Sequence, residues 1–77
     1  MSRQKEDPVY NRVEELRSTR GLTRQQLADL VEVHYQTIGY LERGEYSPSL
    51  ILAFNIAKAL NAEIPEVFSI KPFKKGA

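Results

Sequence analysis

The stretch that decides the fold is TRQQLADLVEVHYQTIGYLERG, residues 23–44. Counted from Arg24 as the first position, the fourth, eighth, tenth, fifteenth and eighteenth positions are apolar: Leu27, Val31, Val33, Ile38 and Leu41. This spacing predicts two short helices that cross steeply around a tight turn. The first helix is expected to bury Leu27 and Val31, and Val33 fills the turn. The second helix is expected to bury Ile38 and Leu41. Ala28, at the fifth position, is small where the helices come closest.

Two helices arranged in this way form a helix-turn-helix, the unit that places its second helix in the DNA major groove. The stretch resembles the Cro and phage-repressor (Xre-type) helix-turn-helix family of small DNA-binding transcriptional regulators. The resemblance covers residues 11–68, most of the chain. It implies an all-α fold, a compact five-helix lambda-repressor-like DNA-binding domain.

The bulk composition limits the other possibilities. A chain of 77 residues forms one small domain with a single modest core. It has no cysteine and one histidine, so neither a disulfide nor a metal site is expected, and no cofactor or small-molecule ligand is evident. The N-terminus lacks the apolar core of a signal peptide, and no apolar run approaches a membrane span of roughly 20 residues. We therefore expect a soluble cytoplasmic protein with no membrane partner. Because the net charge is only +1, a DNA-binding face must be local.

The chain divides by composition into a flexible N-terminal arm (1–7), a helix-turn-helix domain (8–68) and a C-terminal tail (69–77). Asp7 as N-cap and Pro8 as the first helical residue predict a first helix over 8–20. Thr23 and Gln26 form a capping box for the second helix. The later helices are predicted at about 35–43, from a cap at Ser47 or Ser49 to about 60, and at 64–68. No strand pattern is present.

Two residues of the motif depart from the family pattern. Glu32 stands where the family usually has glycine, so the turn is either left-handed and strained by about 1 kcal/mol or shaped differently. His34 stands at the N-cap of the third helix, where the family commonly has serine or threonine. Histidine is a poorer cap, and this helix start is expected to depend on tertiary packing.

The family resemblance implies that the exposed face of the third helix contacts base edges and nearby phosphates. The candidate base-reading residues are Tyr35, Gln36, Thr37 and Tyr40. The carboxamide of Gln36 can pair with adenine N6 and N7, and Thr37 can meet a thymine methyl group. Gly39 leaves room for close approach, at a helix cost of about 1 kcal/mol relative to alanine. In the alternative interpretation, both tyrosines are half-buried surface aromatics without a role in binding.

A second set of residues is predicted to hold phosphates: Arg24, His34, Arg43, Tyr46 and Ser47. Arg24 opens the second helix, where the family often has a phosphate-binding glutamine and where the helix dipole favours an anion. The alternatives are a solvated arginine and a histidine that is merely a surface residue. The resemblance also implies a partly buried ion pair between Arg17 and Glu42, which would fix the third helix against the scaffold.

The fourth helix carries more apolar residues than one inward face can use. Its predicted inner stripe is Leu50, Ala53, Ile56, Ala57 and Leu60. Ile51, Leu52 and Phe54 cannot all face inward as well, and an apolar surplus of this kind often marks a partner surface. We predict a homodimer whose interface contains Ile51, Phe54, Phe68, Ile70 and Phe73. Its two third helices could meet successive major grooves about 34 Å apart. Alternatively, these residues complete the core of a small monomer.

The sequence predicts a sequence-specific DNA-binding transcriptional regulator, a repressor that binds an inverted repeat in double-stranded DNA as a dimer. An enzyme is not expected, because the carboxylates are scattered and no phosphate-binding glycine loop is present. An alternative is a protein-interaction module such as the antitoxin half of a toxin pair, which the near-zero net charge mildly favours. A third hypothesis is a dimerisation domain that has lost DNA binding, which predicts no salt-dependent DNA affinity.

Overall fold

The computed structural model describes residues 9–73. Within that range the elements are, in chain order, β1 (Tyr10–Asn11), α1 (Val13–Thr19), α2 (Arg24–Val31), α3 (Tyr35–Glu42), α4 (Leu50–Ala59), α5 (Ile64–Val67) and β2 (Phe68–Ser69). The predicted five-helix class is confirmed. No helix in residues 9–73 is long and apolar enough to cross a membrane. The predicted arm, the helix start at Asp7 and Pro8, and the end of the predicted tail lie outside the described residues.

The first helix begins later than predicted, and a short sheet precedes it. β1 pairs with β2 antiparallel, with Tyr10 opposite Ser69 and Asn11 opposite Phe68. The prediction of a helix from residue 8, and of a chain without strands, was therefore wrong. A strand of two residues is too short to leave an alternating pattern in the sequence. The pairing joins the beginning of the described chain to its end, so α1 and α5 are held in one unit.

The core lies between α2, α3 and α4. The fully or nearly buried hydrophobic residues are Val13, Leu27, Ala28, Val31, Ile38, Leu41, Leu52, Ile56, Ala57, Leu60 and Val67. Every predicted inward position of the helix-turn-helix is in this cluster except Val33, which is partly buried and packs against it. Neither short helix would be stable alone, so both depend on packing. Burial of these side chains holds α3 against α2.

The inner stripe of α4 differs from the predicted one at its first turn. Leu50, predicted to face inward, is 72% exposed, whereas Leu52, assigned to the surplus, is only 8% exposed. The Ser49 hydroxyl caps the helix by accepting a hydrogen bond from the Leu52 amide at 3.1 Å, so Ser49 rather than Ser47 is the cap. Four successive apolar residues at 50–53 give no amphipathic phase, which explains the error.

The ends of the helices explain how the chain turns. Thr23 and Gln26 form both bonds of the predicted capping box, at 3.0 and 2.8 Å. Glu32 is left-handed (φ 61°, ψ 45°), so the strained form of the turn is the one adopted. Asn61 (φ 54°) and Gly44 (φ 77°) end α4 and α3 in the same region of backbone space. The turn between α2 and α3 is therefore left-handed at a residue that is not glycine.

Candidate nucleic-acid interface

α3 has a buried side and an exposed side. Ile38 and Leu41 are buried in the core, whereas Tyr35, Gln36 and Tyr40 are exposed. Thr37 is only partly exposed, because it lies one turn before Leu41 at the margin of the buried side. Three of the four predicted base-reading residues therefore share one accessible face, and the fourth lies beside it.

His34 caps the start of α3 with its ring. Its Nδ1 accepts a hydrogen bond from the Gln36 amide at 3.1 Å, and its ring stacks on Tyr35 with 5.0 Å between ring centroids. The neutral imidazole that accepts at Nδ1 must carry its proton on Nε2. This helix start was expected to depend on tertiary packing because histidine is a poorer cap, and the structure shows that the histidine side chain nevertheless supplies one.

Two arginine side chains cover Gly39 at the middle of the helix. Gly39 is buried, although it does not point into the core. A Cβ atom at this position would lie 3.5 Å from Nη1 of Arg43 and 4.0 Å from both Cδ and Nε of Arg24. The two guanidinium groups therefore come from different helices, one from the start of α2 and one from the end of α3, and flank the same glycine.

Glu42 connects this surface to the scaffold. Its side chain is 1% exposed; Oε2 accepts a hydrogen bond from Arg17 Nε at 2.7 Å, and Oε1 accepts one from Arg24 Nε at 2.9 Å. Arg17 also donates from Nη1 to the carbonyl oxygen of Leu22 at 2.9 Å. The hydrogen bond to Glu42, and then the charge of that carboxylate, raise the pKa of the Arg24 guanidinium. One buried carboxylate thus faces two cations, which leaves a positive charge on a local surface.

The link between Arg24 and Glu42 was not predicted, although Arg17 and Glu42 were named as a pair. The two residues lie 18 positions apart on different helices, so no helical spacing connects them. The side chain of Arg24 is 44% exposed, which leaves the outer part of its guanidinium accessible.

Asn11 is a second positioning residue that sequence reasoning missed. Its Nδ2 donates to the carbonyl oxygen of Leu41 at 3.0 Å, and its Oδ1 accepts from the Val13 amide at 3.0 Å. One side chain therefore ties the end of α3 to the start of α1 through β1. Its place in the two-residue strand β1 gave no signal, because Asn11 was read as an interior residue of a longer helix.

The remaining predicted phosphate contacts separate into two places. Arg43 lies with its guanidinium carbon 5.1 Å from the ring centroid of Tyr40, and its Nε donates to Glu45 at 3.2 Å. Tyr46 and Ser47 instead line a groove of about 600 Å³ whose other walls are mostly apolar. The groove runs between the loop after α3, the start of α4 and the β1–β2 sheet, and its lining includes Leu50, Ala53, Ile64 and Phe68.

The residues of the predicted dimer interface also differ in exposure. Ile51, Phe54 and Ile70 are largely exposed, with Ile70 73% accessible. Phe68 is half-buried in β2 and packs against the core, which fits the monomer-core alternative for this residue. Phe73 is half-buried as well, and the Arg12 guanidinium carbon lies 5.2 Å from its ring centroid. The exposed apolar surface is therefore centred on Ile51 and Phe54 of α4.

The comparisons with known proteins agree on one family. A helix-turn-helix family model matches residues 13–67. An HTH-type transcriptional regulator from Archaeoglobus fulgidus is 46% identical over 60 residues, which is 78% of this chain and 86% of the relative. Another from Methanothermobacter thermautotrophicus is 53% identical over 57 residues, or 73% of this chain and 83% of the relative.

A solved structure gives the same picture. The restriction-modification controller protein C.AhdI from Aeromonas hydrophila is 36% identical, with a TM-score of 0.68, over 71% of this chain and 83% of that one. The matched segment contains α1 to α5, including the two crossed helices and the exposed face of α3. With the accessible polar face of α3 and its two flanking arginines, these similarities mean that the chain belongs to the helix-turn-helix family of DNA-binding transcription regulators.

Proposed function

We propose that this protein is a transcriptional repressor that binds an inverted-repeat operator as a homodimer, with one α3 in the major groove of each half-site. The observation that carries the proposal is the exposed face of α3, on which Gln36 stands beside two guanidinium groups around Gly39. A carboxamide and a guanidinium are the side chains best suited to base edges in the major groove. Repression would follow from occupation of promoter DNA in the cytoplasm.

The charges of this surface suit DNA even though the whole chain is nearly neutral. Arg17 and Arg24 share the single buried carboxylate of Glu42, so these three side chains together carry one net positive charge. Arg43 pairs with Glu45, but both side chains are at least half exposed, and such a surface pair contributes little and is easily exchanged for a phosphate. The local excess of positive charge is what a DNA phosphate chain requires.

Within this proposal, the residues at the start of α3 and on its exposed face have specific roles. Gln36 reads a base edge, and Tyr35 and Tyr40 contact sugars or phosphates beside it. His34 offers its Nε2–H to a phosphate, because Nδ1 is occupied by the Gln36 amide. Thr37 is placed for a contact at the edge of the groove only.

The homodimer part of the proposal is supported by the apolar surface of α4. Ile51 and Phe54 lie one turn apart and are both more than half exposed, with Ile70 also exposed. Apolar residues exposed on one helix face favour burial against a partner. We expect this partner to be a second copy of the chain, because a dimer that places two α3 helices on one duplex binds DNA more tightly than a single copy.

A binding selection on randomised duplex DNA tests the proposal, followed by titration of the selected site at two salt concentrations. We expect an inverted repeat, bound by two chains per duplex, with an affinity that falls as salt rises. Gln36→Ala should cost about 1–3 kcal/mol on the selected site and little on scrambled DNA. Asn55→Ala, which removes an exposed carboxamide from α4, is the matched control and should change neither.

Three results would count against the proposal or a part of it. If the folded protein enriched no sequence and its DNA affinity did not depend on salt, the interaction-module hypothesis would replace it. If one chain bound per duplex with full specificity, the regulator would stand and the homodimer would be rejected. Equal losses of Gln36→Ala on both DNAs would remove the base contact.

A further inference from the structure

We infer that Arg24 reads a base, a guanine in each half-site, and that Glu42 is the residue that positions it. This inference rests on the proposed function and revises the predicted role of Arg24 as a phosphate contact. Arg24 belongs to α2, outside the recognition helix, yet its side chain crosses to the exposed face of α3.

The position of Arg24 over α3 favours a base contact. Its Cδ and Nε are each 4.0 Å from the position that a Cβ of residue 39 would occupy. Arg24 therefore stands where a side chain of Gly39 would begin, near the middle of α3. A side chain at the middle of a helix in the major groove faces the base edges, whereas phosphates flank the groove.

Part of the guanidinium remains for a ligand. Its Nε is used by Glu42 Oε1 at 2.9 Å, and within residues 9–73 neither terminal nitrogen has a hydrogen-bond partner. The two terminal nitrogens form a planar fork that matches the O6 and N7 acceptors of guanine. A fork held by its inner nitrogen and accessible at its outer edge is suited to bidentate contact with one base.

The arginine is also held in place. The carboxylate of Glu42 is almost fully buried, and Arg17, itself bonded to the Leu22 carbonyl oxygen, fixes its other oxygen. The ion pair therefore restricts an otherwise flexible side chain before DNA arrives, which lowers the entropic cost of an oriented contact. A guanidinium fork can bind a phosphate bidentately as well, so the place of Arg24 over the middle of α3 is what favours a base.

Parallel binding selections on randomised duplexes test the assignment, with the wild-type protein, Arg24→Lys and Arg24→Gln. In the wild type we expect one conserved guanine per half-site whose replacement weakens binding roughly 5- to 150-fold. In Arg24→Gln that position should lose its guanine while the rest of the site is retained. In Arg24→Lys, which keeps the charge but not the planar fork, the guanine preference should weaken. Arg12→Lys, at the exposed Arg12–Glu15 pair, is the matched control and should keep the guanine.

The role of Glu42 is tested by a double-mutant cycle with Glu42→Gln, scored by the guanine preference instead of overall affinity. We expect Glu42→Gln to reduce the preference in the wild-type background and to change nothing further in the Arg24→Gln background. A purely structural role would weaken all sites alike and leave the preference intact. If Glu42→Gln does not fold, as judged by circular dichroism, Glu42→Asp, which keeps the charge but shortens the reach to Arg24, takes its place in the cycle and should reduce the guanine preference in the same way.

The possible failures are distinguishable. A selected site that keeps its guanine in Arg24→Gln, with uniformly weaker binding and a shallower salt slope, would make Arg24 a phosphate contact and overturn this inference only. A wild-type protein that enriches no site would overturn the proposed function, and the base assignment with it.

Discussion

The outer faces of α3 and α4 are both accessible, but their chemistry is opposite. α3 presents a carboxamide, two tyrosines and two flanking guanidinium groups, of which one is held by a buried carboxylate. α4 presents Leu50, Ile51 and Phe54, all more than half exposed. A charged, hydrogen-bonding ligand suits the first face and an apolar partner the second. We therefore expect each short helix to use its inner side for the core and its outer side for a separate partner.

The largest expected effect separates the inner side of α4 from its outer side. Leu52→Ala should lower the free energy of unfolding by about 2–4 kcal/mol, because it leaves a cavity in the core. Leu50→Ala, the same substitution two residues earlier, should change it by less than about 0.5 kcal/mol, because Leu50 is mostly exposed. Urea denaturation at two protein concentrations measures both and separates any contribution from dimerisation. Equal costs would contradict the assigned orientation of α4.

The second prediction concerns the apolar face itself. Phe54→Ser should weaken homodimerisation at least about tenfold, equivalent to about 1.4 kcal/mol, because it removes a large exposed ring from the proposed interface. Sedimentation measurements over a range of concentrations test this, with Leu30→Ser as the control because Leu30 is also exposed but belongs to α2. An unchanged dimer, or a protein that is monomeric throughout, would leave this face without its proposed partner.

The same two helices show what could be predicted from sequence. In residues 23–44 the buried apolar positions recur at helical spacing among polar residues, so the spacing alone assigned Leu27, Ile38 and Leu41 to the core. The exposure of Tyr35 and Gln36 followed from the same periodicity. At 50–54 all five residues are apolar, and the inward direction was set by the Ser49 cap and by packing against other helices, which no local pattern expresses.

The parts of the site that were missed depend on contacts between distant residues. Arg24 reaches Glu42 across 18 positions, and Asn11 reaches the carbonyl oxygen of Leu41 across 30. Both are single side chains that bond across elements, so neither leaves a periodicity in the sequence. Glu32 differs from these two residues, because the backbone there is left-handed although glutamate disfavours that conformation. Tertiary packing decided these features, and only the structure displays it.

The third prediction uses Gly39 to separate stability from binding on the α3 face. Gly39→Ala should raise the free energy of unfolding by about 1 kcal/mol, because alanine favours the helix and its Cβ would meet Arg43 only at ordinary van der Waals distance. DNA affinity should fall, because the methyl group occupies the space through which the helix approaches the bases. Thermal denaturation and titration of the selected operator measure the two quantities. Equal or tighter DNA binding would show that α3 does not approach DNA through Gly39.

The smallest expected effect compares the caps that start the two helices. Ser49 Oγ and His34 Nδ1 each accept one backbone amide, at 3.1 Å in both cases. Ser49→Ala should cost about 1 kcal/mol of stability and leave DNA binding unchanged wherever the protein is folded. His34→Ala should cost less, about 0.5 kcal/mol, because histidine is not among the preferred caps, but it should also weaken DNA binding by removing the Nε2–H donor.

Two further substitutions at His34 separate the cap from the proposed phosphate contact. The Oδ1 of asparagine can replace Nδ1, so His34→Asn should keep or slightly raise stability while losing the outer donor. The longer His34→Gln can present an amide near the position of Nε2 but caps poorly, so it should lose stability and retain more of the DNA affinity of the folded protein. Chemical denaturation and operator titration at fixed pH give the comparison. If both variants bound DNA as tightly as the wild type, His34 would act only as a helix cap, as Ser49 does.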